Sequence, residues 1–389
     1  AQASRPKAAD HDRAGIPMLR ARRGAALTSG VLLARCAWWP RPLRCYAALA
    51  RGSLPAHKRR AVACYSSTSG SAMEKGLVSC EWLRAELDKE GSVDPIRVVD
   101  ATWYLPNSPF AAPAGSGGAQ ADYLAGPRLP GAAFFDIDGV SSPHPAGVPH
   151  MLPSEETFSA AMAALGIERS TRVVAYDRHG IFSAPRFWYT LKVAFGHPAD
   201  VAVLDGGMPR WKELGFPLEE GEAPPPPAPA PVAAWQRVPG SSWDSEQVRK
   251  NAEAREALLI DARGAGRFLG TAPEPRAGMR GGHIPGSVNV PFSDLLTAAP
   301  AMLRPPEELL ERLKAAGVPV DTLKAADEPP MVTSCGSGLT ACIVGLAMHQ
   351  LGLPASRWAV YDGSWSEWGS RSDTPILRQG ADGKEEVVP

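Results

Sequence analysis

The chain has 389 residues, more than one ordinary domain holds, so two domains are the natural expectation. Its 44% hydrophobic and 21% charged residues are those of globular protein and exclude a disordered or fibrous chain. A formal net charge of zero gives no reason to expect a nucleic acid partner.

The charge balance is uneven along the chain. Residues 1–72 hold 13 Lys/Arg against only Asp10 and Asp12, so the remainder is net acidic. Residues 1–73 are basic, acid-poor and rich in Ala and Ser, which predicts an organelle transit leader without a fold of its own. Such a leader serves mitochondrion and plastid alike, and the protein is cytoplasmic if the leader is not translated. The apolar runs are broken by Arg and Pro, too short for a membrane span, and no clean apolar core suits a secretory signal. Of six cysteines, Cys36, Cys45 and Cys64 fall in this leader. The remaining Cys80, Cys335 and Cys342 are an odd, sparse set, against a disulfide framework and for a reducing compartment. Cys335 and Cys342 have no neighbouring Cys/His pair, so no metal site is expected.

Beyond the leader, residues 74–218 and 238–378 read as two halves, joined by a Pro-rich extended linker over 219–237 and followed by a tail, 379–389. Arg97-Val-Val-Asp100 is matched by Leu258-Leu-Ile-Asp261, and Leu129-Pro130-Gly131 by Ile284-Pro285-Gly286. Leu204-Asp205-Gly206 is matched by Tyr361-Asp362-Gly363, with Trp211 answering Trp368. Three matches at offsets of about 160 residues indicate an internal duplication. Within each half, β-rich runs alternate with helical stretches: Arg172–Tyr176 before Ala184–Val193, and Met331–Ser334 before Ala341–Leu351. The pattern predicts an α/β fold, each half a mostly parallel sheet flanked by helices. Ligands in such folds lie beyond the carboxyl ends of the strands.

Cys335 falls at such an end. A short strand leads into Cys335-Gly336-Ser337-Gly338-Leu339-Thr340 and then into an apolar segment of helical length. Loop N–H groups and the positive end of the next helix both favour negative charge on the sulfur, and the thiolate is the nucleophile. A phosphatase of the Cys-x5-Arg kind is excluded, because the position that must carry Arg is Ala341. Alignment of the halves puts Asp177 where the second half has Cys335, so one half keeps the nucleophile and the other serves as scaffold.

From residue 77 to about 375 the sequence resembles the tandem-domain rhodanese family of sulfurtransferases. The resemblance rests on the Cys335 loop and on Asp261-Ala-Arg263, Arg267-Phe-Leu-Gly-Thr, Pro273-Glu-Pro-Arg276, His283-Ile-Pro-Gly286 and Tyr361-Asp-Gly-Ser-Trp365. Pro127-Arg128-Leu-Pro-Gly departs from the usual Gly-His-Ile-Pro-Gly, Leu339 stands where Val is common, and the Gly/Ala-rich 111–121 looks inserted. The loop looks like that of the 3-mercaptopyruvate-using members, since thiosulfate-preferring ones carry basic residues where Gly336 and Ser337 lie. The resemblance implies sulfur transfer from 3-mercaptopyruvate through a Cys335 persulfide, releasing pyruvate, to cyanide or a thiol such as thioredoxin or glutathione. A thiosulfate:cyanide sulfurtransferase and a non-catalytic binding or sulfur-carrier module are the alternatives. No cofactor is implied, and a monomer is the default. By the same resemblance Arg267 and Arg276 bind the substrate with the loop residues Gly336, Gly338, Leu339 and Thr340, while Ser337, His150 and Asp138 relay a proton. Arg263 is expected to brace the structure, His283 to hold a turn, Trp365 and Trp368 to fill core, and Cys342 to be buried filler.

Overall fold

In the computed structural model, residues 72–89, 96–225, 228–320 and 330–388 are described. The expected leader lies outside them except for its last two residues, and Met73 is already buried in the core. In the first half, β1 (Leu77–Val78), β2 (Ile96–Asp100), β3 (Ala133–Phe134), β4 (Arg172–Tyr176) and β5 (Val201–Leu204) form one sheet in the order β1-β5-β4-β2-β3. In the second, β6 (Ser242–Trp243), β7 (Leu258–Asp261), β8 (Val288–Asn289), β9 (Met331–Ser334) and β10 (Trp358–Tyr361) form another in the order β6-β10-β9-β7-β8. All pairings within both sheets are parallel. The two halves therefore share one topology, the expected duplication in three dimensions.

Near-continuous apolar strands suit a parallel sheet covered on both faces. Along β4, Val173 and Ala175 enter a core shared by both halves, while Val174 and Tyr176 enter a separate outer cluster. The shared core forms where Ala184–Trp188 and its π-helical continuation Tyr189–Ala194 pack against the helix Ala341–Gln350. A single α-helix was expected over 184–193. Thr190 Oγ1 instead donates to the Arg186 carbonyl (2.8 Å), competing with regular helix bonding, and the turn widens. Gly345 lets the second helix approach closely: a Cβ there would stand 2.2 Å from the Trp358 ring.

The two copies also cap one another. Asp205, after β5, accepts the Leu303 N–H (2.9 Å), and Asp362, after β10, accepts the Leu152 N–H (2.8 Å). Arg128, the departure from the usual motif, is buried and donates to the carbonyls of Gly221 and Glu222 (2.8 Å each), fixing the start of the linker. His283, its counterpart, bonds the Phe268 carbonyl (2.9 Å) and Glu385 (3.2 Å), so it holds a turn as expected. Glu385 belongs to β12 (Glu385–Val388), which pairs antiparallel with β11 (Ile376–Gln379). Residues 379–388, expected as a tail, thus complete a hairpin.

Candidate active site at the junction of the two halves

Cys335 follows β9 directly and is 2% exposed. Its loop is held from the second half by the turn into Ser364–Trp368. Trp365 N–H donates to the Cys335 carbonyl (3.0 Å), Ser366 N–H to the Gly336 carbonyl (2.8 Å), and Ser364 Oγ accepts the Cys335 N–H (3.2 Å). A trans peptide points its N–H opposite to its C=O, so the Gly336 and Ser337 N–H groups are turned away from that helix. Gly338 has φ +75°, and a Cβ there would lie 2.9 Å from the Asp362 carbonyl oxygen, so only glycine fits.

The first half shows what such a loop does with an anion. Asp177 follows β4 as Cys335 follows β9, and its carboxylate accepts four backbone N–H groups. His179 donates to Oδ1 (2.9 Å), and Phe182, Ser183 and Ala184 to Oδ2 (2.8–2.9 Å). The last of these opens the helix Ala184–Trp188, the counterpart of the helix behind Cys335.

Beside Cys335, residues from the first half form a chain. His150 Nδ1 lies 2.8 Å from Ser337 Oγ, and His150 Nε2 lies 3.0 Å from Asp138 Oδ1. Burial favours the neutral carboxyl at Asp138, but hydrogen bonds from His150 and Trp103 and the Arg276 charge outweigh it and hold it below its ordinary value. Ionised Asp138 accepts a hydrogen bond from the Nε2–H, which leaves the Nδ1 lone pair to accept from Ser337. Burial lowers His150, with Arg186 and Arg276 adding to the effect against Asp138, so the ring is a neutral base at pH 7. His150 has φ +62°, a conformation that side-chain-bearing residues rarely adopt.

Arg186 fixes that conformation. Its guanidinium donates to the His150 carbonyl, to Asp362 Oδ1 (2.7 Å) and to the Gly338 carbonyl (3.1 Å). Burial works against the Arg186 charge, but Asp362 outweighs it and keeps the group above its ordinary range. One buried cation therefore ties His150 to the Cys335 loop. Trp103 adds a second brace: its indole N–H donates to Asp138 Oδ2 (2.8 Å), and its ring stands edge-on to His150 at 4.5 Å.

Arg267 and Arg276 both approach Gly336. A side-chain carbon at 336 would stand 3.3 Å from an Arg267 nitrogen and 3.8 Å from Arg276 Nη1. Their circumstances differ. Arg267 is held on Glu274 Oε2 (2.5 and 3.0 Å), and the other oxygen of Glu274 takes Arg263 (2.6 Å). Arg276 bonds only Ser366 Oγ (3.3 Å) and has no carboxylate within 4 Å among the described residues. Burial lowers its basicity, and Cys335 is the foremost group acting the other way. Arg263 braces the structure as expected: it chelates Asp261 and lies 3.9 Å over the Trp365 ring. Trp365 and Trp368 are wholly buried. Burial pushes the Cys342 thiol up to about 12, and its sulfur lies 3.3 Å from the Gly338 carbonyl, so it fills core.

A cavity of about 130 Å3 is lined by Cys335, Gly336, Ser337, Leu339, Thr340, Arg267 and Arg276, with Trp103 among the first-half residues. Gly338, expected to bind substrate, is not part of its lining and acts through the backbone. His150 and Asp138 reach the cavity through Ser337. Arg186, Glu274 and Trp103 were not foreseen. Asp362 carried a signal, since it sits in a duplicated motif; Arg186 carried none, its partners lying across the junction. Among the described residues no group of three or more His, Cys, Asp or Glu could hold a metal ion, and no helix is long and apolar enough to cross a membrane.

The model of the rhodanese-like domain family matches residues 79–214 and again 244–371. Thiosulfate/3-mercaptopyruvate sulfurtransferase 1, mitochondrial, of Arabidopsis thaliana is 37% identical over 331 residues, 80% of either chain. The 3-mercaptopyruvate sulfurtransferase of Rattus norvegicus is 38% identical over 309 residues, 79% of this chain and 96% of that protein. Among solved structures, SseA of Escherichia coli, described as a 3-mercaptopyruvate sulfotransferase, superimposes with a TM-score of 0.60 at 33% identity. It covers 75% of this chain and 98% of its own. Two matched sheets, two family matches and relatives spanning both halves lead to one conclusion: the chain belongs to the rhodanese-like family, with the domain in two tandem copies.

Proposed function

We propose that this sulfurtransferase takes sulfur from 3-mercaptopyruvate onto Cys335 and passes it to cyanide or to a thiol such as glutathione or thioredoxin. The observation that supports the reading is that Cys335, the Arg276 guanidinium, which has no carboxylate within 4 Å among the described residues, and the Ser337–His150–Asp138 chain meet at one cavity of about 130 Å3. That volume equals about four waters, the scale of a small keto acid.

Arg276 and Arg267 would grip the donor carboxylate and carbonyl with planar forks. The Cys335 thiolate attacks the donor sulfur; the S–S bond forms and the C–S bond breaks, its electron pair passing to carbon as the pyruvate enolate. The proton given up by the donor's thiol sulfur passes through Ser337 to His150 and back through Ser337 to that carbon, so pyruvate leaves and Cys335 keeps a persulfide anion. The acceptor then attacks the outer sulfur, and its S–C or S–S bond forms as Cys335 leaves as thiolate. The Asp177 cradle supports the same role for the Cys335 loop, backbone donors fixed before the charge arrives. None of these steps calls on a metal or organic cofactor, and the duplication supplies both walls within one chain, so a monomer suffices. The basic residues 1–73 are read as the leader to mitochondrion or plastid.

Thiosulfate is the second reading, favoured by the Arabidopsis relative whose name includes both donors. The test compares transfer to cyanide from each donor in the full-length protein, with Cys335→Ser as control. A preference for 3-mercaptopyruvate, abolished in the variant, is expected. Preference for thiosulfate would overturn the inference from neutral Gly336 and Ser337, and no turnover would leave a binding module.

A further inference from the structure

The donor chemistry accounts for only part of the Cys335 cavity. Besides the arginines and the loop, Phe110, Phe182 and Phe292 line it, and none offers a charge or a hydrogen bond to an anionic donor. Phe182 is 1% exposed, and the half-buried Phe110 ring lies over it, centroids 4.0 Å apart and planes 1° from parallel. Phe292 comes from the second half and stands 5.8 Å from Phe110 and 6.1 Å from Phe182. The aromatic wall thus closes across the junction.

Phe110 differs from the other two in what carries it. It ends a short self-braced turn: Leu105 N–H donates to the Phe110 carbonyl (2.9 Å), and Ser108 Oγ donates to the Leu105 carbonyl (2.8 Å). Phe110 N–H donates to Ser108 Oγ (3.0 Å). Beyond it the chain runs through 111–118, small residues without helix or strand. That segment makes up most of the stretch 111–121 that looked inserted, and sulfur transfer assigns it no part.

We propose that Phe110 sets the acceptor preference, an inference that rests on the sulfur-transfer reading. A cavity of about 130 Å3 is well below the 300–1,000 Å3 of sites that enclose larger ligands. The donor and cyanide fit beside the stacked ring. A tripeptide thiol reaches the outer sulfur of Cys335 only when Phe110 leaves its stack on Phe182. The ring therefore favours small acceptors over bulky ones.

Steady-state kinetics on the full chain test this, with saturating 3-mercaptopyruvate and either cyanide or glutathione varied. Transfer through a covalent intermediate is ping-pong, so kcat/KM for the acceptor reports its own half-reaction. Phe110→Ala is expected to raise the glutathione-to-cyanide ratio of kcat/KM about tenfold, or about 1.4 kcal/mol. Phe110→Trp lowers that ratio, and Phe110→Leu, which keeps an apolar wall should the Ala variant unfold, raises it less. Ratios that stay at the wild-type value, or that move together in the Leu and Trp variants, overturn the proposal. Wild-type protein that passes no sulfur even to cyanide would sink the underlying reading instead.

Discussion

Arg276→Met separates substrate binding from stability in a way the two arginines make measurable. Arg276 is a half-buried guanidinium whose one hydrogen-bond partner among the described residues is a hydroxyl at 3.3 Å, whereas Arg267 already rests on Glu274 at 2.5 Å. Hydrogen bonds to charged groups contribute about 1.5–3 kcal/mol each, and a carboxylate gripped by a fork engages two. Removing the fork should therefore cost about 3 kcal/mol of transition-state binding, roughly a hundredfold in kcat/KM. Arg267→Met should cost only about tenfold, because part of that charge is spent on Glu274 in the free protein. Arg276→Lys keeps the charge but loses the fork and should fall between. Stability should move the other way: taking a cation with no carboxylate partner out of a half-buried place leaves the melting temperature of Arg276→Met unchanged or raised. The assay is pyruvate release from 3-mercaptopyruvate with cyanide in excess, beside thermal melts of each variant. A loss below about threefold in Arg276→Met, or a larger loss in Arg267→Met, would refute the reasoning.

Three further predictions follow from the junction. Ser337→Ala and His150→Gln should each slow pyruvate release by about 10²–10⁴-fold, and the double variant little more, since the chain acts as a unit. Because burial lowers His150, the working neutral ring persists below the usual imidazole value; the acid limb of kcat/KM should lie below pH 6.5 and vanish in His150→Gln. Arg186→Met strands Asp362, 6% exposed, without its cation, and frees the carbonyls of His150 and Gly338. It should cost about 3–5 kcal/mol in urea unfolding, and Asp362→Asn in the same chain should restore part of the loss.

What could be read from the chain was local. The strands Arg172–Tyr176 and Met331–Ser334 were expected at those bounds, because apolar β-branched runs ending in a turn signal declare themselves within a few residues. The Cys335 loop and the duplicated Asp-Gly motifs belong to the same kind of signal, whereas the two arginines were picked out only through the family resemblance. The Arg186–Asp362 pair joins residues 176 positions apart and follows only from how two sheets dock. Glu274 shows a subtler limit: its two oxygens serve Arg263 and Arg267 together, so the arginines that looked alike in sequence differ in what charge they have to spare. Phe110 drew no attention in the sequence, and its place in an aromatic wall appears only beside Phe182 and Phe292.

The reciprocal caps of Asp205 and Asp362 bear on how the two copies have aged. Each carboxylate closes an amide on the opposite copy, and that amide belongs to the segment that carries His150 in one copy and Ala301 in the other. A change at either aspartate is therefore felt as damage in the neighbour, not at home. Gene duplication usually frees one copy to drift, yet here the copy that carries Asp177 in place of Cys335 stays tethered to the Cys335 loop of the other. Severed at the proline stretch, the second half would keep Cys335, Ser337 and both arginines but lose the His150–Asp138 pair behind Ser337, the cation under its loop and one wall of its cavity.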